Sequence, residues 1–217
     1  MLPAAGGSLN QSTADGQIPA AVLVPLFLPA RLPPDRPRTG QVAERTPSGQ
    51  VEVQPQSTGE LGDLRVVLTK RRADLRRHPG EISFPGGRSD SEDADLRETA
   101  LREAEEEIGL SRTEVNLLGA LPPTSTFATN YLIHPFVGLI AAGKRWRTSS
   151  REVDAVLELA LTELRAVRTR THLTRRGISF ETDAYVLDEH LIWGATARIL
   201  ENLLERLDPV LGGRANS

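Results

Sequence analysis

The sequence predicts a mixed α/β protein, and three observations carry that expectation. Apolar runs of strand length recur along the chain, at residues 20–28, 64–69, 115–121, 133–140 and 154–159. Two other segments have helical spacing. One is acidic and closes at Gly109; the other, near the C-terminus, aligns Ile199, Leu200, Leu203, Leu204 and Leu207 on one face. No internal repeat is visible, and 39% hydrophobic residues suffice for one buried core.

Residues 1–17 are small and polar and are expected to form a flexible leader. A single domain is expected over residues 18–217. In the first run Pro25 lacks a donor, which suggests an edge strand or a bulge. Residues 29–62 are rich in proline, glycine and polar side chains and read as an insertion, either a flexible surface loop or a dimer arm. Within it Gln50-Val51-Glu52-Val53-Gln54 alternates as one strand of a hairpin would. The strand at 115–121 ends at Pro122-Pro123, and residues 124–131 form a loop whose hydroxyls could touch substrate. In the strand at 133–140, His134 reads as a packed histidine. Residues 143–151 are basic and turn-like, the strand at 154–159 alternates, and Thr162-Glu163-Leu164 starts a short helix. Residues 169–181 are expected to form a loop and hairpin over the site. Tyr185-Val186-Leu187 and Ile192-Trp193 make a second hairpin.

Composition excludes several classes. A net charge of −3 lacks the basic excess of a general nucleic-acid binder. With no cysteine there is no disulfide, thiol nucleophile or zinc–thiolate site. The apolar run at 20–28 is too short to span a bilayer, and the N-terminus lacks the basic region of a secretory signal. A cytoplasmic protein with no membrane partner is the expectation.

The chemistry gathers around Phe84-Pro85-Gly86-Gly87 and the acidic segment after it. Asp90, Glu92, Asp93 and Asp95 favour a helix start, and Gly109 supplies its stop. At 100° per residue from Glu103, Glu106 falls near −60° and Glu107 near +40°, so three carboxylates share one stripe. Ala100, Leu101, Ala104 and Ile108 lie on the face to bury, and Glu105 points away from both. From Glu92 to Glu107 eight acids face two arginines, a net charge of −6. Carboxylates near a helix C-terminus also oppose its dipole. A hard divalent cation would relieve this repulsion and bridge to substrate phosphates. A solvated acidic face is the plainer alternative, although such faces usually mix signs. Just ahead of the turn, Lys70, Arg71, Arg72, Arg76 and Arg77 give five positive charges suited to phosphate oxygens.

Arg102-Glu103-Ala104-x-Glu106-Glu107-x-Gly109-Leu110, after a Gly-Gly turn, resembles the signature helix of the Nudix hydrolases. The second half of the signature matches fully. The first acid is displaced, because the turn is one residue longer, and Asp93 is the choice for it with Glu92 behind. Leu68-Thr69-Lys70-Arg71-Arg72 with Arg76, Gly80 and Phe84–Gly87 is similar to the extra motif of the coenzyme A pyrophosphatase branch, from which Arg72 departs. The stretch from Ile192 to Arg198 resembles the same branch.

The resemblance implies an α/β/α sandwich, its central mixed sheet lying between the acidic helix and the C-terminal helix. It implies Mg²⁺ or Mn²⁺ held by Glu103, Glu106 and Glu107, an acidic residue reaching the site from the region of Glu152, and a catalytic carboxylate that is either one of those three or Glu152. Substrate would meet Arg71, Arg76, Gly86 and Gly87, with Arg102 pairing a neighbouring acid to hold helix and loop together. The implied reaction cleaves coenzyme A, or its derivatives, to 4′-phosphopantetheine and adenosine 3′,5′-bisphosphate. A Nudix hydrolase for NADH or ADP-ribose is the alternative, and a non-enzymatic binding module of the same fold a second. A homodimer is compatible with all three.

Overall fold

The computed structural model describes residues 16–29, 61–75, 79–126, 129–149, 151–175 and 177–211. Most of the expected leader, nearly all of the expected insertion with its strand at 50–54, and Arg76 lie outside the described residues.

In chain order the main elements are β1 (Ile18–Phe27), β2 (Arg65–Arg71), β3 (Ile82–Ser83), β4 (Gly86–Arg88) and α1 (Leu96–Ile108). Next come β5 (Asn116–Ala120), β6 (Thr124–Ser125), β7 (Tyr131–Leu139), β8 (Val153–Ala160) and α2 (Leu161–Ala166). The chain continues through β9 (Arg168–Arg175), β10 (Ile178–Leu187), β11 (His190–Trp193) and α3 (Gly194–Leu211). β1 runs parallel to β7, from Ile18 opposite Tyr131 to Leu26 opposite Leu139. β2, β3, β4, β5, β6 and β8 complete a mixed sheet, while β9, β10 and β11 form a second, antiparallel one.

Successive residues of a strand point to opposite faces. Both faces of β1 are covered, which explains its unbroken apolar run. Ala21, Leu23 and Phe27 pack with Val67 against Ala100, Ala104 and Ile108 of α1. Val22, Val24 and Leu26 pack with Val66 and Leu68 on the other face, where Ile199, Leu200 and Leu203 of α3 close the core. This is the α/β/α sandwich that the resemblance implies.

Two expectations need correction. β1 is central, so Pro25 marks neither an edge nor a bulge. Ile18 donates to Asn130 O and Leu26 O accepts from Ile140, so even positions bond toward β7. Odd positions face the other side, as Leu23 N–H does toward Pro85 O. Pro25 therefore falls where β1 changes partner, between β4 at Ala20–Val22 and β2 at Leu26–Phe27. A donor is not needed there.

The segment expected over the site is the β9–β10 hairpin, a regular antiparallel pair. Tyr185 and Ile192 of its sheet belong to the core on the α3 face. That layer lies across the main sheet from α1. Among the described residues no helix is long and apolar enough to cross a membrane.

Candidate active site

α1 begins one turn later than the acidic run suggests. Asp95 is its N-cap, accepting the N–H groups of Arg97 at 2.7 Å and Glu98 at 3.0 Å, which satisfies donors the helix itself cannot. At the other end Gly109 is left-handed, with φ 69°, and Leu110 N–H returns to Ala104 O. These caps fix the phase of the carboxylates between them.

Glu103 and Glu107, one turn apart, face β4. A Cβ on Gly87 would stand 2.5 Å from the Glu103 carboxylate, so only glycine leaves room for it. On the opposite face a Cβ on Gly86 would stand 2.4 Å from Ala21 O. The Gly86 N–H donates to Glu107 Oε2 at 3.3 Å. The Gly-Gly pair thus lets backbone and carboxylates touch.

Glu107 is 7% exposed. Burial first, and then the charge of Glu103, push its carboxyl up to about 8, against the pull of Gly86 N–H and Arg71. Burial also raises Glu103, although a hydrogen bond from Arg102 opposes the shift. Glu106 sits at the outer edge of the stripe with its side chain 60% exposed, 3.5 Å from Arg102. Glu105 points away and meets Arg112 at 3.7 Å, as the helical phasing requires.

Arg102 holds the loop to the helix. Its Nε and Nη2 grip Asp93 at 2.8 and 3.0 Å, Nη1 donates to Glu103 at 2.9 Å, and Nη2 also reaches Arg88 O at 3.3 Å. Asp93 further accepts from Asp90 N–H and the Thr99 hydroxyl. The bonded guanidinium brings the Asp93 carboxyl down to about 2. Sequence reasoning gave Arg102 an acidic partner, and the longer turn delivers Asp93 to it.

Of the basic run, Arg71 reaches this face. It follows Val67 and Thr69 on β2 and lies 3.6 Å from Glu152, with Nε buried and without a hydrogen-bond partner among the described residues. Glu152, paired with Arg71, is near enough for its charge to add a minor upward push on both Glu103 and Glu107. Lys70, on the other face of β2, turns toward Glu189. Arg72 forks Asp74 at 2.8 and 2.9 Å. The run is therefore not a uniformly basic loop, because the strand continues through Arg71 and splits it by alternation. His134 is half-buried and burial lowers its pKa, the behaviour of a packed histidine.

Sequence reasoning missed the strap that carries Glu152. Lys144 pairs with Glu114, Trp146 Nε1–H donates to Glu158 at 2.7 Å, and Ser149 N–H caps Glu107 O at 2.8 Å. Backbone bonds between distant segments leave no side-chain pattern to find.

Among the described residues no three acidic or imidazole groups already stand together in ligand geometry. Glu103 leans to Arg102 and Glu106 faces outward. The donor set nevertheless suits a hard divalent cation: carboxylate oxygens only, a Cβ-free cradle at Gly87, and a buried Glu107 without a strong cationic partner.

Comparison with known proteins gives the following. A family model described as NUDIX domain matches residues 57–178. An uncharacterized Nudix hydrolase, NudL, of Photorhabdus laumondii is 38% identical over 144 residues, covering 65% of this chain and 76% of that protein. Its counterpart in Salmonella paratyphi B is 39% identical over 141 residues, 64% of this chain and 72% of that protein. Among solved structures, the Nudix hydrolase RenU from M. smegmatis aligns with 93% of this chain and 89% of that chain, at 13% identity and a TM-score of 0.49.

Proposed function

Since the chain belongs to the Nudix hydrolase family, we propose that it is a metal-dependent pyrophosphohydrolase of coenzyme A. The observation that carries this proposal is the meeting of Arg71 with the under-neutralised pair Glu103 and Glu107 across the Gly86–Gly87 turn. Anionic groups needing a cation lie beside a buried guanidinium edge needing an acceptor. A diphosphate bound through a divalent ion satisfies both.

In this mechanism Glu103, Glu106 and Glu107 would hold Mg²⁺ or Mn²⁺. When bound, such an ion neutralises diphosphate charge and lowers the pKa of the attacking water. Gly86 N–H keeps Glu107 in place and Arg102 steadies Glu103. Arg71 turns its fork to a phosphate oxygen, a bidentate match that lysine cannot make. Glu152, at the solvent-facing mouth of the cluster, accepts the proton as the water oxygen bonds to phosphorus. The bridging oxygen departs with the other phosphate. From coenzyme A the products are 4′-phosphopantetheine and adenosine 3′,5′-bisphosphate.

The choice of coenzyme A rests on the motif from Leu68 to Gly87. Lys70 and Arg72 are turned to Glu189 and Asp74, and with Arg71 given to the diphosphate, Arg76 is the first candidate for recognition of the 3′-phosphate. A charge-assisted hydrogen bond is worth about 1.5–3 kcal/mol, so coenzyme A should exceed its dephospho form by roughly 10- to 150-fold in kcat/KM. Product analysis with Mg²⁺ or Mn²⁺ on coenzyme A, dephospho-coenzyme A, NADH and ADP-ribose tests this. Faster cleavage of NADH or ADP-ribose would overturn the substrate and leave the hydrolase; no cleavage of any would favour the binding module.

A further inference from the structure

The strap between β7 and β8 joins two carboxylate-bearing residues through one peptide unit on either side of Ser149. The Ser149 N–H donates to Glu107 O at 2.8 Å, while Ser149 O accepts Glu152 N–H at 3.1 Å and Val153 N–H at 2.9 Å. Arg147 N–H donates to Ile108 O at 3.2 Å. These bonds close carbonyls that a helix leaves open at its C-terminus. They also set where Glu152 stands relative to Glu107. Arg72 N–H, donating to Glu152 O at 3.0 Å, fixes the far side.

Main-chain bonds at a helix end are prone to fray, and an anchoring side chain would hold the segment to it. Trp146 is that anchor. Its partly buried ring packs against the core cluster under α1, to which Ala104, Ile108 and Leu110 belong. Its indole N–H donates to Glu158 Oε1 at 2.7 Å, tying the strap to β8, the strand that Glu152 leads into. Tryptophan is donor-only, so a carboxylate acceptor on the neighbouring strand gives the ring one preferred orientation.

We propose that Trp146 is a positioning residue, which through its bond to Glu158 locks the strap and so places Glu152 against the Glu103–Glu107 pair. The role rests on Glu152 being the proton acceptor assigned above. Trp146 carries no acid–base group and bonds to Glu158, so in this proposal its effect passes through Glu152.

A double-mutant cycle tests this. Trp146→Phe keeps an aromatic ring, though a smaller one, and loses the donor; it should lower kcat about tenfold, the order expected of a sub-ångström misplacement, with KM nearly unchanged. In a Glu152→Gln background the same substitution should cost nothing further. Glu158→Gln retains an acceptor and should stay near the parent kcat, whereas Glu158→Leu should reproduce the Trp146→Phe loss. The Glu158 pair probes the same bond should Trp146→Phe fail to fold. Additive losses, a defect confined to KM, or a neutral Glu158→Leu would overturn the proposal, making Trp146 ordinary packing. A harmless Glu152→Gln beside an inactivating Glu107→Gln would also overturn it while leaving the hydrolase site intact. A harmless Glu107→Gln would remove the site itself, and the strap's role with it.

Discussion

The two ends of α1 each bury a carboxylate, and the two behave in opposite ways. The Asp93 side chain, 4% exposed, lies beside the start of the helix, and Glu107, 7% exposed, lies in its last turn. The Asp93 carboxyl is drawn down to about 2; that of Glu107 is pushed up to about 8. Both side chains are little exposed, but Glu107 lies deeper: burial is the largest cause of its shift, whereas the bonded Arg102 guanidinium is the largest for Asp93. Asp93 has the forked guanidinium of Arg102 and two further donors, while Glu107 has one backbone N–H and the charges of Glu103 and Glu152. An unneutralised buried carboxylate is expensive. The first end is neutralised by Arg102, while among the described residues the second has no cationic partner of comparable strength, Arg71 acting on Glu107 by its charge alone. The structural half and the chemical half of the site divide at that difference.

The largest effect should come from the Glu107 end. Glu103→Gln, Glu106→Gln or Glu107→Gln should each lower kcat by roughly 10²-fold or more, if each helps hold the ion or the catalytic water. Glu105→Gln, whose side chain faces Arg112, should change it little. A Glu105 effect as large as that of Glu106 would break the comparison, because the stripe would then not be the working face.

A smaller effect, of another kind, should follow at the Asp93 end. Asp93→Asn removes the charge that Arg102 grips, and should cost about 1.5–3 kcal/mol of stability. Denaturant melts of Asp93→Asn, Asp90→Asn and Glu92→Gln would rank them, Asp93 being costliest in stability and in activity. Equal, small losses in all three would mean that the clasp does not hold the loop.

How much of this was legible in the sequence follows from the range of the forces. The caps of α1, the stripe and the outward turn of Glu105 are local, set by Asp95, Gly109 and 100° per residue. Both faces of β1 were legible as an apolar run. Its place in the sheet was not, because Pro25 is tolerated only through a change of partner between distant strands. The division of Lys70 from Arg71 depends on β2 extending further than its apolar residues do. That Glu106 faces outward while Glu107 is buried depends on how α1 is rolled on the sheet. The strap's bonds to α1 join backbone groups far apart in sequence, and composition carries no trace of them.

The finest test of the comparison is pH, since the two carboxylates bias stability at opposite ends of the scale. Asp93 has a folded pKa below its ordinary 3.8. Its contribution is present above that value and is lost as pH falls toward about 2. Glu107 has a folded pKa above its ordinary 4.5. In metal-free protein its contribution is present below about 4.5 and is lost as pH rises from there through about 8, because over that window the unfolded chain has released a proton that the folded state still holds. Metal-free protein should accordingly melt lower at pH 8 than at pH 5.5, by several degrees if about 1–2 kcal/mol is involved. Glu107→Gln should flatten that slope and melt above the parent at pH 8, the reverse of its effect on turnover. Excess Mg²⁺ or Mn²⁺ should raise the parent's melting temperature at pH 8 and leave Glu107→Gln little changed. Asp93→Asn should keep the slope between pH 5.5 and 8, because its own titration lies below that window. If Glu107→Gln melts no higher than the parent at pH 8 without metal, the buried carboxylate is already neutralised within the chain. The two ends of the helix would then differ in position and not in kind.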